Sequence, residues 1–150
     1  MDLRELYQEI ILDHYKKPRN CASLERANHH ASGHNPLCGD RVQIHLRVED
    51  GVVRDIAFEG SGCAISTASA SMMTEAVKGK PVAEVEKLFE SFRDMVTGKD
   101  DRAAGEAADL GSLEALQGVR EIPIRVKCAT LAWHTLQAAL KEGSKPVTTE

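Results

Sequence analysis

The chain has 150 residues, 42% hydrophobic and 28% charged, a composition typical of a globular protein with one core rather than of a disordered chain. Its 23 acidic residues outnumber its 19 basic ones, for a net charge of -4, which argues against a nucleic-acid partner because phosphate backbones attract basic surfaces. The start lacks a basic leader, and no apolar window reaches bilayer length, so we expect a cytoplasmic protein with no membrane partner.

The first predicted element is an amphipathic helix. Apolar residues recur at helical spacing over residues 3–14, with Asp2 as a candidate N-cap and Pro18 beyond the end. Residues 19–36 are polar and lack an apolar period, so we predict a loop there. We expect the loop histidines to be solvated rather than bound to metal; they are His29, His30 and His34.

A β-hairpin is predicted next. Apolar residues alternate with polar ones over residues 42–48 and resume over 52–58, and Asp50-Gly51 between them favours a tight turn. The two ends of a hairpin lie near each other. Residues 38–40, before the first strand, should therefore come close to Cys63, after the second strand.

Helices are predicted for most of the remaining chain. They cover residues 64–77, 82–96, a short stretch at 113–116, and a final helix that begins near Pro123, with an exposed connection over 99–109. The final helix should direct Cys128 inward. These elements predict an α+β fold: a small antiparallel sheet, made of the hairpin plus a possible third strand, packed against about five helices. We expect one domain over residues 1–142 and a frayed tail over 143–150.

Three cysteines occur in settings that favour a metal site. Cys38 begins a Cys-Gly-Asp triplet, and Cys63 follows two glycines, which let the backbone approach another group closely. Cys63 should also lie in the first turn of a helix, where the amides and the helix dipole favour a thiolate. With Cys128 and the Asp40 carboxylate, they form a four-ligand set of the kind that tetrahedral zinc binds.

This ligand set is mixed, and other interpretations exist. A carboxylate is a weaker partner than sulfur for a thiophilic ion, so Asp40 or one of the cysteines could be exchanged for an incoming group. A single buried cysteine such as Cys128 is more often a small hydrophobic residue than a ligand. Cys21 lies in a polar stretch without glycine neighbours, and we interpret it as a spare thiol.

Three motifs in this order resemble the U-type iron–sulfur cluster assembly scaffold family. They are residues 35–40 (NPLCGD), residues 60–73 (GSGCAISTASASMM) and residues 125–129 (RVKCA), and the resemblance extends from Leu6 to about Leu140. Within that family the chain is most similar to the SufU branch. Lys127 stands where the scaffold branch has a histidine, and the chain has a segment including residues 99–117 that the scaffold branch lacks.

The resemblance implies a zinc-containing sulfur acceptor, in which Cys38, Asp40, Cys63 and Cys128 hold zinc. Cys38 would take a persulfide sulfur from a pyridoxal-phosphate-dependent cysteine desulfurase, for use by a downstream iron–sulfur assembly scaffold. A metal-bound thiolate is a poorer nucleophile than a free one, so Cys38 would have to leave the zinc. The resemblance suggests that a histidine of the desulfurase then replaces it. Arg125 either steadies the carboxylate or the sulfur anion, or is an ordinary surface arginine.

A second hypothesis is a non-enzymatic scaffold, in which the same four residues hold a nascent 2Fe–2S cluster. The absence of the histidine before Cys128 puts this role in question. Whether the protein counts as an enzyme stays open, because a sulfur relay would act only together with its desulfurase. A zinc hydrolase or deaminase is disfavoured, since the chain lacks a His-x-Glu motif paired with Pro-Cys-x-x-Cys.

Overall fold

The computed structural model describes residues 2–36, 39–98, 110–141 and 147–148. Within these residues it has the predicted α+β architecture, with five helices packed against one sheet. In chain order the elements are α1 (Leu3–Lys16), β1 (His29–Asn35), β2 (Asp40–Glu49), β3 (Val52–Ser61), α2 (Ala64–Val77), α3 (Val82–Thr97), a 3-10 helix (Gly111–Glu121), α4 (Pro123–Leu140) and β4 (Val147–Thr148).

The predicted hairpin is β2 and β3, and it carries a bulge. Asp50 and Gly51 both have positive φ, the conformation that a two-residue hairpin turn requires. The register shifts after Arg47, so that Arg47 pairs with Asp55 while the next residue, Val48, pairs with Val53. The extra residue changes which side chains of β3 face inward. As a result Val53 is fully buried, whereas strict alternation from Phe58 predicted an inward position for Val52.

The loop predicted over residues 19–36 is wrong for its second half, which forms strand β1. This strand pairs antiparallel with β2 from His29 opposite Leu46 to Asn35 opposite Asp40, and it supplies the third strand of the sheet. Its sequence has three histidines and only one aliphatic residue, Ala31. The pairing therefore comes from the neighbouring strand rather than from the intrinsic preference of β1.

The core lies between one face of the sheet and the helices. Alternate residues of β2 are buried on that face, and α4 packs across β1 and β2 while also contacting α2 and α3. Trp133 of α4 is fully buried and stacks with Phe92 at a centroid distance of 4.8 Å. This packing brings the first turns of α4 to the end of the sheet where β2 begins.

Two predicted regions lie wholly or partly outside the described residues. The connection 99–109 is outside them, as are residue 142 and residues 143–146 and 149–150 of the tail. Val147–Thr148 pair in parallel with Gly33 and His34 of β1, so this part of the tail extends the sheet. The division into a domain of residues 1–142 and a frayed tail stays a prediction. None of the described helices is long and apolar enough to cross a bilayer.

A buried histidine attaches α1 to α2. His14 Nδ1 lies 2.7 Å from Ser71 Oγ, and the Ser71 oxygen also accepts the backbone N–H of Arg19 at 2.8 Å. In the neutral ring the tautomer decides whether Nδ1 donates to this oxygen or accepts its hydrogen, because a hydroxyl can accept two hydrogen bonds. Burial lowers the pKa of His14, and Arg19 lowers it further, against the raising effects of Glu75 and Asp13.

His14 is expected to make the folded chain less stable at acidic pH. Because the pKa of His14 is below its ordinary value in the folded chain, the unfolded chain binds the proton more readily, and stability is lost as pH falls below about 6.5. Urea unfolding at pH 7.5 and pH 5.5 measures the loss. We expect a larger loss in the wild type than in His14→Gln, which has no imidazole to protonate. An equal loss in both proteins would contradict this assignment.

Candidate metal centre

The carboxylate of Asp40 is buried at the start of β2. Its residue is 0% exposed, and Oδ1 accepts the backbone N–H of Cys63 at 2.9 Å. The hairpin register explains this contact, because Arg41 pairs with Ser61 and the residues just beyond that pair meet. Asp40 is therefore held in place by the chain segment that leads into α2.

Cys63 is the N-cap of α2. Its Sγ accepts the backbone N–H of Ser66 at 3.4 Å, and it lies 3.9 Å from Asp40 Oδ2. A helix N-terminus presents unpaired N–H groups and a positive dipole end, both of which stabilise a thiolate. The residue is half-buried, so an incoming group can still reach its sulfur.

Cys128 approaches the same point from α4. It is 0% exposed, as predicted for the inward face of the final helix, and its Sγ accepts hydrogen bonds from Asn35 Nδ2 and Arg125 Nη1, each at 3.9 Å. Asn35 is itself fully buried at the end of β1. Two donors, one of them charged, therefore face this sulfur, and the carbonyl oxygen of Ile124 lies 3.7 Å from it as an acceptor for the thiol hydrogen.

The ligand atoms of three residues converge. One carboxylate oxygen of Asp40 and the sulfurs of Cys63 and Cys128 all lie within 4.8 Å of one another. The ligands of a tetrahedral zinc, at 2.0 to 2.3 Å from the ion, are about 3.5 Å apart, so a small contraction would bring these atoms into coordinating distance. One carboxylate and two thiols that can ionise make a chemically suitable set for zinc or iron.

The fourth predicted ligand, Cys38, lies outside the described residues. Its neighbours in the chain are described on both sides. Gly39 N–H donates to Asn35 O at 2.8 Å, which closes the connection between β1 and β2 beside the three converging side chains. Only Gly39 separates Cys38 from Asp40 in the sequence.

Two residues of this centre were missed from the sequence. Asn35 was placed in a loop rather than beside Cys128, and Gly62 was valued only for backbone freedom. A Cβ on Gly62 would lie 2.7 Å from Asp40 Oδ1 and 3.2 Å from Ser66 Oγ, so its role is to leave room for the carboxylate. The asparagine immediately before Pro36-Leu37-Cys38 was a weak signal, whereas nothing in the local sequence identified the contact of Gly62 with Asp40.

The close approach of Asp40 to Gly62 predicts that a side chain at position 62 weakens zinc binding. In Gly62→Ala the new methyl group must push the Asp40 carboxylate away from Cys63 N–H, so we expect zinc to bind at least about tenfold more weakly, with little change in helix content. Competition with a chromogenic chelator measures the affinity. Gly118→Ala is the matched control, because a Cβ at Gly118 would meet no atom within 4 Å. Equal affinities in the two variants would contradict the prediction.

The chain is similar to a known protein family and to named relatives within it. Residues 6–119 match the family model described as "NifU-like N terminal domain". The chain is 44% identical over 144 residues to a Bacillus subtilis protein named "Zinc-dependent sulfurtransferase SufU", with 95% of each chain covered. It is 41% identical to a Streptococcus pyogenes protein named "Iron-sulfur cluster assembly scaffold protein IscU", over 95% of this chain and 87% of the other.

A solved structure of similar sequence has the same fold. A crystal structure from Fervidobacterium islandicum, titled as a putative iron-sulfur cluster assembly scaffold protein for the SUF system, matches with a TM-score of 0.81. It is 32% identical, and the match covers 93% of this chain and 99% of the other. The similarity in sequence and in fold therefore extends over nearly the whole chain.

Proposed function

Because the chain belongs to the NifU-like N-terminal domain family, we propose that it serves iron–sulfur cluster biogenesis as a zinc-dependent acceptor of persulfide sulfur. Its donor is a cysteine desulfurase, and the sulfur passes onward to an assembly scaffold. The observation that carries the proposal is the convergence of Asp40, Cys63 and Cys128 within 4.8 Å of one another. The relative named as a zinc-dependent sulfurtransferase, 44% identical to this chain, supports zinc over other metals.

Three of the four proposed ligands belong to or cap described helices or strands. Asp40 begins β2, Cys63 caps α2, and Cys128 is fully buried in α4. Each belongs to an element whose position is fixed by packing. Cys38 precedes Asp40 by two residues in the sequence, and it is the ligand proposed to be released and to act as the acceptor.

Zinc, when bound by Cys38, Asp40, Cys63 and Cys128, would keep the thiols deprotonated near neutral pH. Groups of the protein itself also face these ligand atoms. Asn35 and Arg125 approach the Cys128 sulfur, and the Cys63 amide holds the Asp40 carboxylate. This arrangement keeps three of the ligands in place while the fourth reacts.

Sulfur transfer then needs one displacement. The Cys38 thiolate attacks the outer sulfur of the desulfurase persulfide, a new S–S bond forms on Cys38, and the donor S–S bond breaks. The bonding electron pair leaves with the cysteine thiolate of the desulfurase, so no external oxidant or reductant is consumed. The product is a persulfide on Cys38, available to the next acceptor.

Arg125 is proposed to stabilise negative charge near the Cys128 sulfur. Its guanidinium nitrogen lies 3.9 Å from that sulfur and its side chain is half-buried. An arginine keeps its charge at every pH of interest and can hydrogen-bond a displaced carboxylate or a sulfur anion. It is therefore a candidate for stabilising the anion that is uncovered when a ligand leaves.

A cluster scaffold is the second candidate function. It is favoured by the relatives named as iron-sulfur cluster assembly scaffold proteins, which are 41% and 39% identical to this chain. The same carboxylate and thiolates could hold iron. Two features distinguish this chain from the scaffold branch: Lys127, next to Cys128, and the segment that includes residues 99–117.

Metal and sulfide analysis of anaerobically purified protein tests the proposal. Sulfur acceptance requires about one tightly bound zinc per chain, a colourless protein, and faster cysteine turnover by a desulfurase when the protein is added. A brown product with iron and acid-labile sulfide, and no stimulation of the desulfurase, would instead establish the scaffold role. Absence of both metals would contradict both functions.

A further inference from the structure

A second cluster of metal-binding side chains lies on the outer face of the sheet. His30 of β1 and His45 of β2 are direct cross-strand partners. Their Nδ1 atoms are 2.9 Å apart, with ring centroids at 5.1 Å and planes inclined by 73°. On the far side of the His45 ring, Nε2 lies 2.9 Å from Glu59 Oε1 on β3.

The hydrogen bond to Glu59 fixes the tautomer of His45. A carboxylate only accepts hydrogen bonds, so His45 Nε2 carries the hydrogen, and in the neutral ring Nδ1 is left with a free electron pair. That pair points at His30 Nδ1. A carboxylate that orients a histidine through its second nitrogen is the usual support of a metal-bound imidazole.

We propose that His30 and His45 chelate a divalent transition-metal ion through their Nδ1 atoms, with Glu59 as the supporting carboxylate. Two nitrogens bound to tetrahedral zinc at 2.0 to 2.1 Å are about 3.3 Å apart, so the 2.9 Å separation must open only slightly. His30 is exposed and can rotate to allow it. The hydrogen between the two nitrogens moves to His30 Nε2, which leaves both Nδ1 electron pairs for the metal.

The chemistry of the ligands indicates which ions fit. Imidazole nitrogen suits zinc, copper and nickel, whereas calcium and magnesium prefer oxygen ligands. The remaining coordination positions face water, so the ion exchanges with solvent. The site is separate from the candidate metal centre: His30 precedes Asn35 by five residues along β1, about 16 Å at 3.3 Å per residue.

The three residues of the proposed site differ in how far they are exposed to solvent, and this difference suits metal binding. The His45 side chain is 15% exposed and Glu59 is 46% exposed, so the supporting pair is partly shielded while His30 faces solvent. Shielding strengthens the hydrogen bond between His45 and the carboxylate and holds the ring in one orientation. One ligand is thus preorganised, and the other closes on the ion.

Zinc titration of protein that has already been loaded with zinc and desalted tests the proposal. We expect calorimetry to show one additional zinc ion per chain, and nuclear magnetic resonance to show shifts of the His30 and His45 imidazole nitrogens. Because the imidazole signals report on this site alone, the result does not depend on the occupant of the thiolate centre. Failure of the proposed function would leave this binding unchanged.

Variants separate this site from general zinc binding. His30→Gln and His45→Gln should each weaken the additional binding at least about tenfold, and Glu59→Ala by about 10- to 100-fold through loss of the supporting carboxylate. His34→Gln is the matched control, because this histidine lies on the same strand and face as His30 but pairs with Arg41. The proposal is overturned if the wild type takes up no additional zinc, or if both histidine variants retain it.

Discussion

Replacing Cys38 with serine is expected to abolish sulfur acceptance, with at least about a hundredfold loss of desulfurase stimulation. The variant keeps the shape of the side chain but replaces the thiolate by a hydroxyl, which is not ionised at neutral pH and cannot form a persulfide. The fold should survive, because the described core lies between the sheet and the helices and is built without this residue. Cysteine turnover by the desulfurase, with and without the variant, measures the effect.

Cys21→Ser is the matched control for this experiment. Cys21 is an exposed free thiol outside the candidate centre, so its loss should leave stimulation unchanged. Mass spectrometry adds an independent measurement, since the wild type should gain the mass of one sulfur atom on the peptide that contains Cys38. Normal stimulation of the desulfurase by Cys38→Ser would exclude Cys38 as the acceptor.

The fold could be predicted from the sequence wherever the local signal and the tertiary environment agree. The hairpin turn at Asp50-Gly51 has the positive φ angles that its residues favour, and Pro123 begins α4 as predicted. Strand β1 could not be predicted, because it is polar and is stabilised by pairing with β2. The bulge after Arg47 was missed for a similar reason, since strict alternation contains no information on where a register shifts.

The sequence predicted that three residues of the candidate site meet, but it did not predict their supporting contacts. The three motifs identified Asp40, Cys63 and Cys128 as residues that belong together, and the structure places their ligand atoms within 4.8 Å. The amide of Cys63 that holds Asp40, and the Asn35 side chain beside Cys128, depend on distances between elements far apart in sequence. Such contacts become visible only when the register of the sheet is known.

Asp40→Ala is expected to reduce zinc affinity by about 10- to 100-fold and also to destabilise the protein without metal. The first effect follows from removing one of the proposed ligands. The second arises because the Cys63 N–H loses its acceptor in a partly buried position, and an unpaired buried donor costs about 1 to 3 kcal/mol. Chelator competition measures the affinity, and urea unfolding of the metal-free protein measures the stability.

Asp40→Asn separates the two roles of this side chain. The amide oxygen of asparagine can still accept the Cys63 N–H, so the metal-free protein should be nearly as stable as the wild type. The negative charge is lost, however, and an amide oxygen is a weaker ligand for zinc than a carboxylate. If Asp40 is a ligand, both variants lose zinc while only the alanine variant loses stability. Wild-type zinc affinity in Asp40→Asn would instead mean that the carboxylate acts solely as an acceptor for the Cys63 amide, leaving three thiolates to hold the ion.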